Sequence, residues 1–398
     1  MEGMTLPTFP FDTPAGLAYD PVGLRLLARA PVARARTPDG QEVWLALGYQ
    51  EVRQALSDPR LSREAATRPG TPTVTQSSAD PLLMVGMDPP RHTRVRRLVS
   101  AAFGPRTVER LEPRVQQIVD GLLGELAARP QPADLVRLLA EPLPIMVICE
   151  LLGVPMADRA QIREWAGKLI ATTAYSPAEI HQAIGEVNAY LAELIERRRA
   201  EPDGALVSAL IDVNDQGDHL SPAELTSNVQ LLLIAGHETT VNQLGNSVVT
   251  LFEHPDQVDL LRDKPELWPQ AVDELLRHSM LVSTTLPRVA VADLELGGTL
   301  IRAGECVLPL VGVANRDPRA FPEPLRFDVL RTGPAAHLGL GHGPHYCLGA
   351  HLAKLEMRLA LGSLFSRFPA LEPGVDPADL RWKTGLAVRG LVELPVTW

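Results

Sequence analysis

Leu338-Gly-Leu-Gly-His-Gly-Pro-His-Tyr-Cys-Leu-Gly-Ala-His351 is the densest chemical signal in this 398-residue chain. Three glycines and a proline oppose any regular element before the cysteine, and a fourth glycine follows it, while residues 348–367 carry helical periodicity. Cys347 is therefore expected where an irregular loop turns into a helix. Unpaired N–H groups and the positive end of a helix dipole favour an anionic, metal-binding sulfur at such a place. Cys149 and Cys306, far off in sequence, read as inert buried thiols. Three cysteines without CxxC or Cys/His spacing exclude a zinc knuckle and a disulfide framework, and fit a reducing cytoplasm. A dinucleotide turn is excluded too, because the third glycine after Gly339-x-Gly341 would fall on Pro344.

Working outward, Ser221-Pro-Ala-Glu224 has the form of a helix start, with Ser as cap, Pro at the first position and Glu reaching back. The helix it opens should run about thirty residues, enough to cross the whole molecule. Inside it lies Leu233-Ile-Ala-Gly-His-Glu-Thr-Thr240. A glycine followed by threonines costs propensity, and a hydroxyl competing for carbonyls can kink or bulge the helix. An acid beside an alcohol at that point suits a proton relay; a helix-surface Glu and Thr pair is the plainer alternative. His237-Glu238 is not a zincin motif, because residue 241 is Val. Glu274 and Arg277 share a helix face at i,i+3, which alone describes many surface pairs.

Helical patterns occupy 91–102, 107–128, 142–152, 156–170, 177–200, 203–213, 222–252, 255–263 and 267–278. Residues 40–49 alternate as a strand pair would, and 50–57 read as a short helix. Residues 64–81 lack periodicity and read as a functional or mobile loop. After 280 come short strands over 287–313 with turns at Gly297-Gly298 and Gly304, a loop-rich stretch over 315–345, and a β segment near 384–397. Length alone admits roughly two or three domains, but no linker appears, so one mostly helical domain over 1–398 is expected. Hydrophobic residues make up 45% of the chain and the net charge is −10, which argues against a nucleic-acid binder. Met1 to Pro14 lacks Lys and Arg and holds three prolines, unlike a secretory signal. The run Val229 to Ala235 is too short for a bilayer. A soluble, cytoplasmic protein is expected.

Leu340-Gly-His-Gly-Pro-His-Tyr-Cys-Leu-Gly349 resembles the heme-binding signature of the cytochrome P-450 superfamily. It departs at Leu340, where the family usually carries a Phe beside the sulfur; this should alter the ligand's surroundings rather than abolish ligation. The resemblance extends over nearly the whole chain, through Asn315-Arg-Asp-Pro318, Phe321-Pro-Glu-Pro324 and Arg389-Gly-Leu-Val-Glu-Leu-Pro395. It implies a mainly α triangular prism with a minor β region, and heme b (iron protoporphyrin IX) between the long central helix and the cysteine loop. Cys347 would be the iron ligand, with Gly349 closing the signature. Glu238 and Thr239 match the family's acid–alcohol pair, and Ala235 and Gly236 would face the heme and leave room for oxygen. His92 and Arg96, one turn apart, would bind propionates together with Arg288 and His345. Glu274 and Arg277 would form a buried network with Arg326 as third member.

Order and spacing are those of bacterial class I members, most like actinobacterial hydroxylases that tailor macrolides and polyketides. The resemblance thus implies a monooxygenase that inserts one atom of O2, by hydroxylation or epoxidation, into a hydrophobic secondary metabolite of the antibiotic-biosynthesis kind. Electrons would come from a ferredoxin and ferredoxin reductase, docking an otherwise acidic monomer at Arg94, Arg97, Lys354 and Arg358. Substrate would enter over residues 64–85 and 165–190 into a pocket of Leu83, Met84, Val85, Leu232, Ala235, Thr284, Leu286 and Leu386. A coupling or desaturating heme–thiolate enzyme is one rival reading. A non-catalytic heme sensor is another, against which Glu238 and Thr239 argue.

Overall fold

Ser221 accepts a hydrogen bond from the Glu224 N–H at 3.1 Å, and the Glu224 carboxylate accepts from the Ser221 N–H at 3.0 Å. This reciprocal cap launches the 31-residue helix Pro222–Phe252, about 46 Å long at the usual rise. The computed structural model describes residues 6–11, 16, 17, 19, 21–72, 80–215, 220–279, 281, 282 and 284–398. Among them the helices are α1 Pro21–Leu27, α2 Tyr49–Ser57, α3 Arg91–Ser100, α4 Pro105–Ala127, α5 Pro142–Leu152, α6 Arg159–Leu169, α7 Pro177–Ala200, α8 Leu206–Asp215, α9 Pro222–Phe252, α10 Pro255–Asp263, α11 Trp268–His278, α12 Val311–Ala314 and α13 Ala350–Arg367. The strands are β1 Val32–Arg36, β2 Glu42–Ala46, β3 Leu61–Ser62, β4 Ala133–Asp134, β5 Arg288–Ala290, β6 Leu294–Leu296, β7 Thr299–Ile301, β8 Cys306–Pro309, β9 Glu372–Pro373 and β10 Pro395–Thr397.

Helix α9 is buried nearly all round, so it lies within the helical layer, packed by α5, α6, α7 and α13. One apolar core joins these helices, and smaller cores lie under the sheet. That sheet has the order β1-β2-β8-β5-β3, with β2 and β8 parallel and the other neighbours antiparallel. The Gly297-Gly298 turn joins β6 to β7 with both φ values positive, as expected of a tight hairpin.

Several expectations need correction. Residues 40–49 supply one strand, not two; its partner is Val32–Arg36, paired from Val32↔Ala46 to Arg36↔Glu42. The turn between them is Thr37-Pro-Asp-Gly40, with Gly40 at positive φ. Helix α8 starts at Leu206 rather than 203, because Asp203 turns the chain by accepting from the Ala205 N–H and the Ser208 hydroxyl. Of 64–81, residues 65–67 form a single 3-10 turn and 73–79 lie outside the described residues. Near the C-terminus only 395–397 form a regular strand.

The scaffold network also differs. Arg277 and Glu274 meet in a two-pronged pair at 2.7 Å on each side, both side chains almost fully buried. The third member is Arg331, whose Nε donates to both Glu274 oxygens at 3.0 and 3.1 Å. The Arg326 side chain points outward to Glu323, and Arg326 contributes only its main-chain carbonyl, which accepts from Arg277 and Arg331.

Candidate active site

The cysteine loop is folded by its own backbone. Gly341 N–H donates to Leu338 C=O, Tyr346 N–H to Gly343 C=O and Cys347 N–H to Leu340 C=O, at 2.8–3.0 Å. Gly343 sits at φ +71° with the Leu56 carbonyl of α2 where a Cβ would need to be, so only glycine fits there. Helix α13 begins three residues beyond Cys347, with Gly349 as its cap. Burial raises the Cys347 thiol pKa; the Gly349 N–H and the Arg96 guanidinium oppose that rise. The helix terminus alone therefore does not make the thiolate that the sequence suggested; coordination to a metal does so outright. Cys149 and Cys306 are pushed up to about 12 by burial, as inert thiols should be.

Helix α9 has one open stripe. Leu231, Ala235 and Thr239 are incompletely buried at i, i+4 and i+8, and Gly236 flanks them, on a helix otherwise enclosed between residues 227 and 251. Gln243, one turn further on, lines the same small cavity as Gly339 at the start of the cysteine loop. Helix α9 thus passes beside the start of the ligand loop, and the open stripe leaves a slot along its face. The helix is not interrupted there; Thr239 Oγ1 donates back to the Ala235 carbonyl at 2.6 Å, the competition expected of a hydroxyl in mid-helix. Glu238 lies on the flank of the stripe, 5% exposed. Its Oε1 accepts from Lys383 Nζ at 3.0 Å and from Asn242 Nδ2 at 3.2 Å. The structure places Glu238 and Thr239 side by side in sequence but not in hydrogen-bond contact.

At the rim, the His92 and His345 rings lie with centroids 4.2 Å apart, tilted by 45°, and Arg96 donates to the Tyr346 carbonyl at 2.6 Å. Arg288 is buried, and its guanidinium, with five donors, has one hydrogen bond, to the Leu286 carbonyl at 3.3 Å. Arg63, which sequence reading missed, joins this group through Val85 and Pro287 carbonyls. Burial, then Arg63, pushes Arg288 down to about 9; burial, then Arg96, holds His92 at about 4; burial, then His92, drives His345 to about 2. The acid that Arg288 and His92 feel, Asp88, is already engaged by Ser62 and the N–H groups of Arg63 and Glu64. The buried His92 Nε2 has no partner. Surplus buried cations with orphaned donors need an anion, and a ligand with two carboxylates supplies one. The residues present fit heme b, which Cys347 would ligate and whose propionates His92, Arg96, Arg288 and His345 would hold.

The proposed pocket wall is placed as follows. Ala235 is open to the slot, and Val85, Thr284, Leu286 and Leu386 are half-buried. Met84 is tied to α9 by its N–H on Asn228 Oδ1 at 2.9 Å, and Leu83 is buried beside it. Leu232 is buried in the helical core, beside the stripe rather than on it. Of the proposed docking cations, Arg94 pairs with Glu224, Lys354 with Asp273 and Arg358 with Glu112, while Arg97 is exposed. Arg94 therefore belongs to the start of α9. Among the described residues no helix is long and apolar enough to cross a membrane.

A thiol looped under an open helix face, ringed by uncompensated cations, defines a heme–thiolate protein. The chain belongs to the cytochrome P450 family, whose model matches residues 38–390, and it is accordingly a heme-dependent monooxygenase. It is 44% identical over 98% of each chain to the nocardicin C N-oxygenase of Nocardia uniformis subsp. tsuyamanensis. It is 44% identical, again over 98% of each, to the mycinamicin IV hydroxylase/epoxidase of Micromonospora griseorubida. A solved cytochrome P450 with biaryl coupling reactivity superposes with a TM-score of 0.93 at 38% identity, covering 99% of this chain and 100% of that one.

Proposed function

We propose that this enzyme hydroxylates or epoxidises a hydrophobic secondary metabolite of the macrolide or polyketide kind, in the cytoplasm and as a monomer. The observation that carries the reading is the open Leu231-Ala235-Thr239 stripe on a helix that passes beside the ligand loop, in a chain whose relatives tailor such molecules. When bound, heme b supplies the oxygen chemistry, the Cys347 thiolate favouring O–O cleavage. Ala235 and Gly236 keep side chains out of the slot. Thr239 Oγ1 hands on the proton that the Glu238 carboxyl brings from the solvent side, and the apolar wall excludes other water. Thr284, Leu286 and Leu386 hold the substrate over the slot.

Electrons come from a ferredoxin. Helix α3 lies against the ligand loop through Arg96, and the next residue, Arg97, is exposed. Arg97→Glu should slow reduction and flatten its salt dependence; an unchanged rate speaks against this docking face.

The test is a spectral-shift screen of hydrophobic natural products, followed by turnover with a ferredoxin pair and product mass. A gain of one oxygen is expected. The solved relative with coupling reactivity keeps a second reading alive: a product lighter by two hydrogens would select coupling or desaturation instead. Cys347→Ala should abolish the strongly red-shifted Soret band of the reduced, carbon monoxide-treated protein.

A further inference from the structure

Residues 380–391 form a loop that is pinned at two places. Its base is fastened to the central helix: Lys383 N–H donates to Gly390 C=O at 2.8 Å, Trp382 bridges Leu391, and Asn246 Nδ2 donates to Arg389 C=O at 3.0 Å. Gly390 lies so close to Asn242 of α9 that a Cβ would overlap that side chain. The tip is fastened to the segment between α6 and α7. The Gly385 carbonyl accepts from the N–H groups of Thr172, Thr173 and Ala174 at 2.8–3.1 Å, Leu386 bridges Ala171, and Ala387 N–H donates to Ile170 C=O at 3.0 Å. The tip carries Leu386, half-buried and assigned above to the substrate wall, so the roof of the proposed pocket is the tip together with residues 170–174. The base carries Lys383, whose ammonium grips Glu238 at 3.0 Å with both side chains largely buried.

We infer that Lys383 is a positioning residue that restrains the Glu238 carboxylate away from Thr239 until a bulky substrate lifts the roof and loosens the loop. This rests on the proton-relay reading above. A single residue separates Lys383 from Gly385, so displacement of the tip is carried to the lysine along the chain. With Glu238 hydrogen-bonded to Lys383 and Asn242, and Thr239 closed onto the Ala235 carbonyl, the relay is open-circuited in the empty enzyme. Releasing it only under substrate would limit wasteful reduction of oxygen.

The heme-loaded full chain, a ferredoxin and reductase pair and no organic substrate give the first readout, idle reductant consumption. Lys383→Met, with Lys383→Gln as a second variant, should raise it about tenfold, a small part of what a positioned general acid contributes, and should change its solvent isotope effect. Lys383→Arg should restore the wild-type rate, and adding Glu238→Gln to Lys383→Met should remove the rise. Wild-type idling in both neutral variants, with Glu238→Gln still altering the isotope effect, overturns the role of Lys383 and leaves the relay standing. No effect of Glu238→Gln sinks the relay reading itself. The second readout is amide hydrogen exchange with econazole, a bulky azole, in the slot. Faster exchange at 172–174 supports the lifted roof, and unchanged exchange there overturns it.

Discussion

Removing the Arg331 guanidinium leaves Glu274 buried with Arg277 as its remaining partner. Arg331→Ala should cost about 1–3 kcal/mol, the penalty of an under-satisfied buried acceptor, whereas Arg277→Ala removes the more deeply buried partner and the two shortest bonds to the carboxylate and should cost about 3–5 kcal/mol. Arg326→Ala, at a side chain 59% exposed, should stay within about 0.5 kcal/mol. Urea midpoints of the three variants check the order, and equal losses at 326 and 331 would reverse the assignment. His278 offers a pH test. Burial, then Arg316, holds it near 3 in the folded protein against 6.5 as a free group. Between those values the unfolded chain carries a proton that the folded one lacks. Its contribution to stability is therefore complete above about pH 6.5 and falls away toward pH 3, by up to about 1.4 kcal/mol per pH unit. His278→Phe should unfold with a shallower acid slope than wild type. Cys347 could be read from its glycines because local backbone demand is written locally. Arg331 could not, since what selects it over Arg326 is a fork reaching a carboxylate more than fifty residues away. Arg63 and Lys383 were illegible for the same reason.

The central helix was legible as an element because its start is encoded within four residues. Ser221→Ala should cost about 1 kcal/mol. Glu224→Ala should cost more, since Glu224 both closes the cap and accepts from Arg91 and Arg94 at 3.0–3.3 Å. Thermal midpoints of the two variants measure the difference; equal shifts would mean that the arginines contribute nothing. The open stripe on α9 could not be read from the sequence, because Leu231, Ala235 and Thr239 look like any helix positions until the other faces are seen to be covered. The β1–β2 hairpin was half legible. Alternation in 42–46 marked one strand, but in Val-Ala-Arg-Ala-Arg36 the alternation is of small and charged residues, and the Pro-Asp-Gly turn was the stronger signal.

At the scale of the whole molecule, the helical layer and the sheet meet at the cation cluster: α3 brings His92 and Arg96, β5 brings Arg288, the stretch after β3 brings Arg63 and the ligand loop brings His345. Four chain segments thus press buried and half-buried cationic and imidazole groups together, and Arg63 depresses Arg288. Without an anion that arrangement opposes folding, so loading of the dianionic cofactor should stabilise the entire fold through mass action as well as through the thiolate bond. The two contributions can be separated with a porphyrin whose acids are masked. Iron protoporphyrin IX should raise the unfolding temperature of the apoprotein sharply, and so should it, less strongly, in a Cys347→Ala background where only the propionates are held. The dimethyl ester of the same porphyrin should bind weakly, since it leaves Arg288 and His92 uncompensated, and its affinity should improve relative to the diacid in Arg288→Leu. If ester and diacid stabilise the wild-type chain equally, the cluster serves another purpose and the orientation of the porphyrin in the slot must be redrawn.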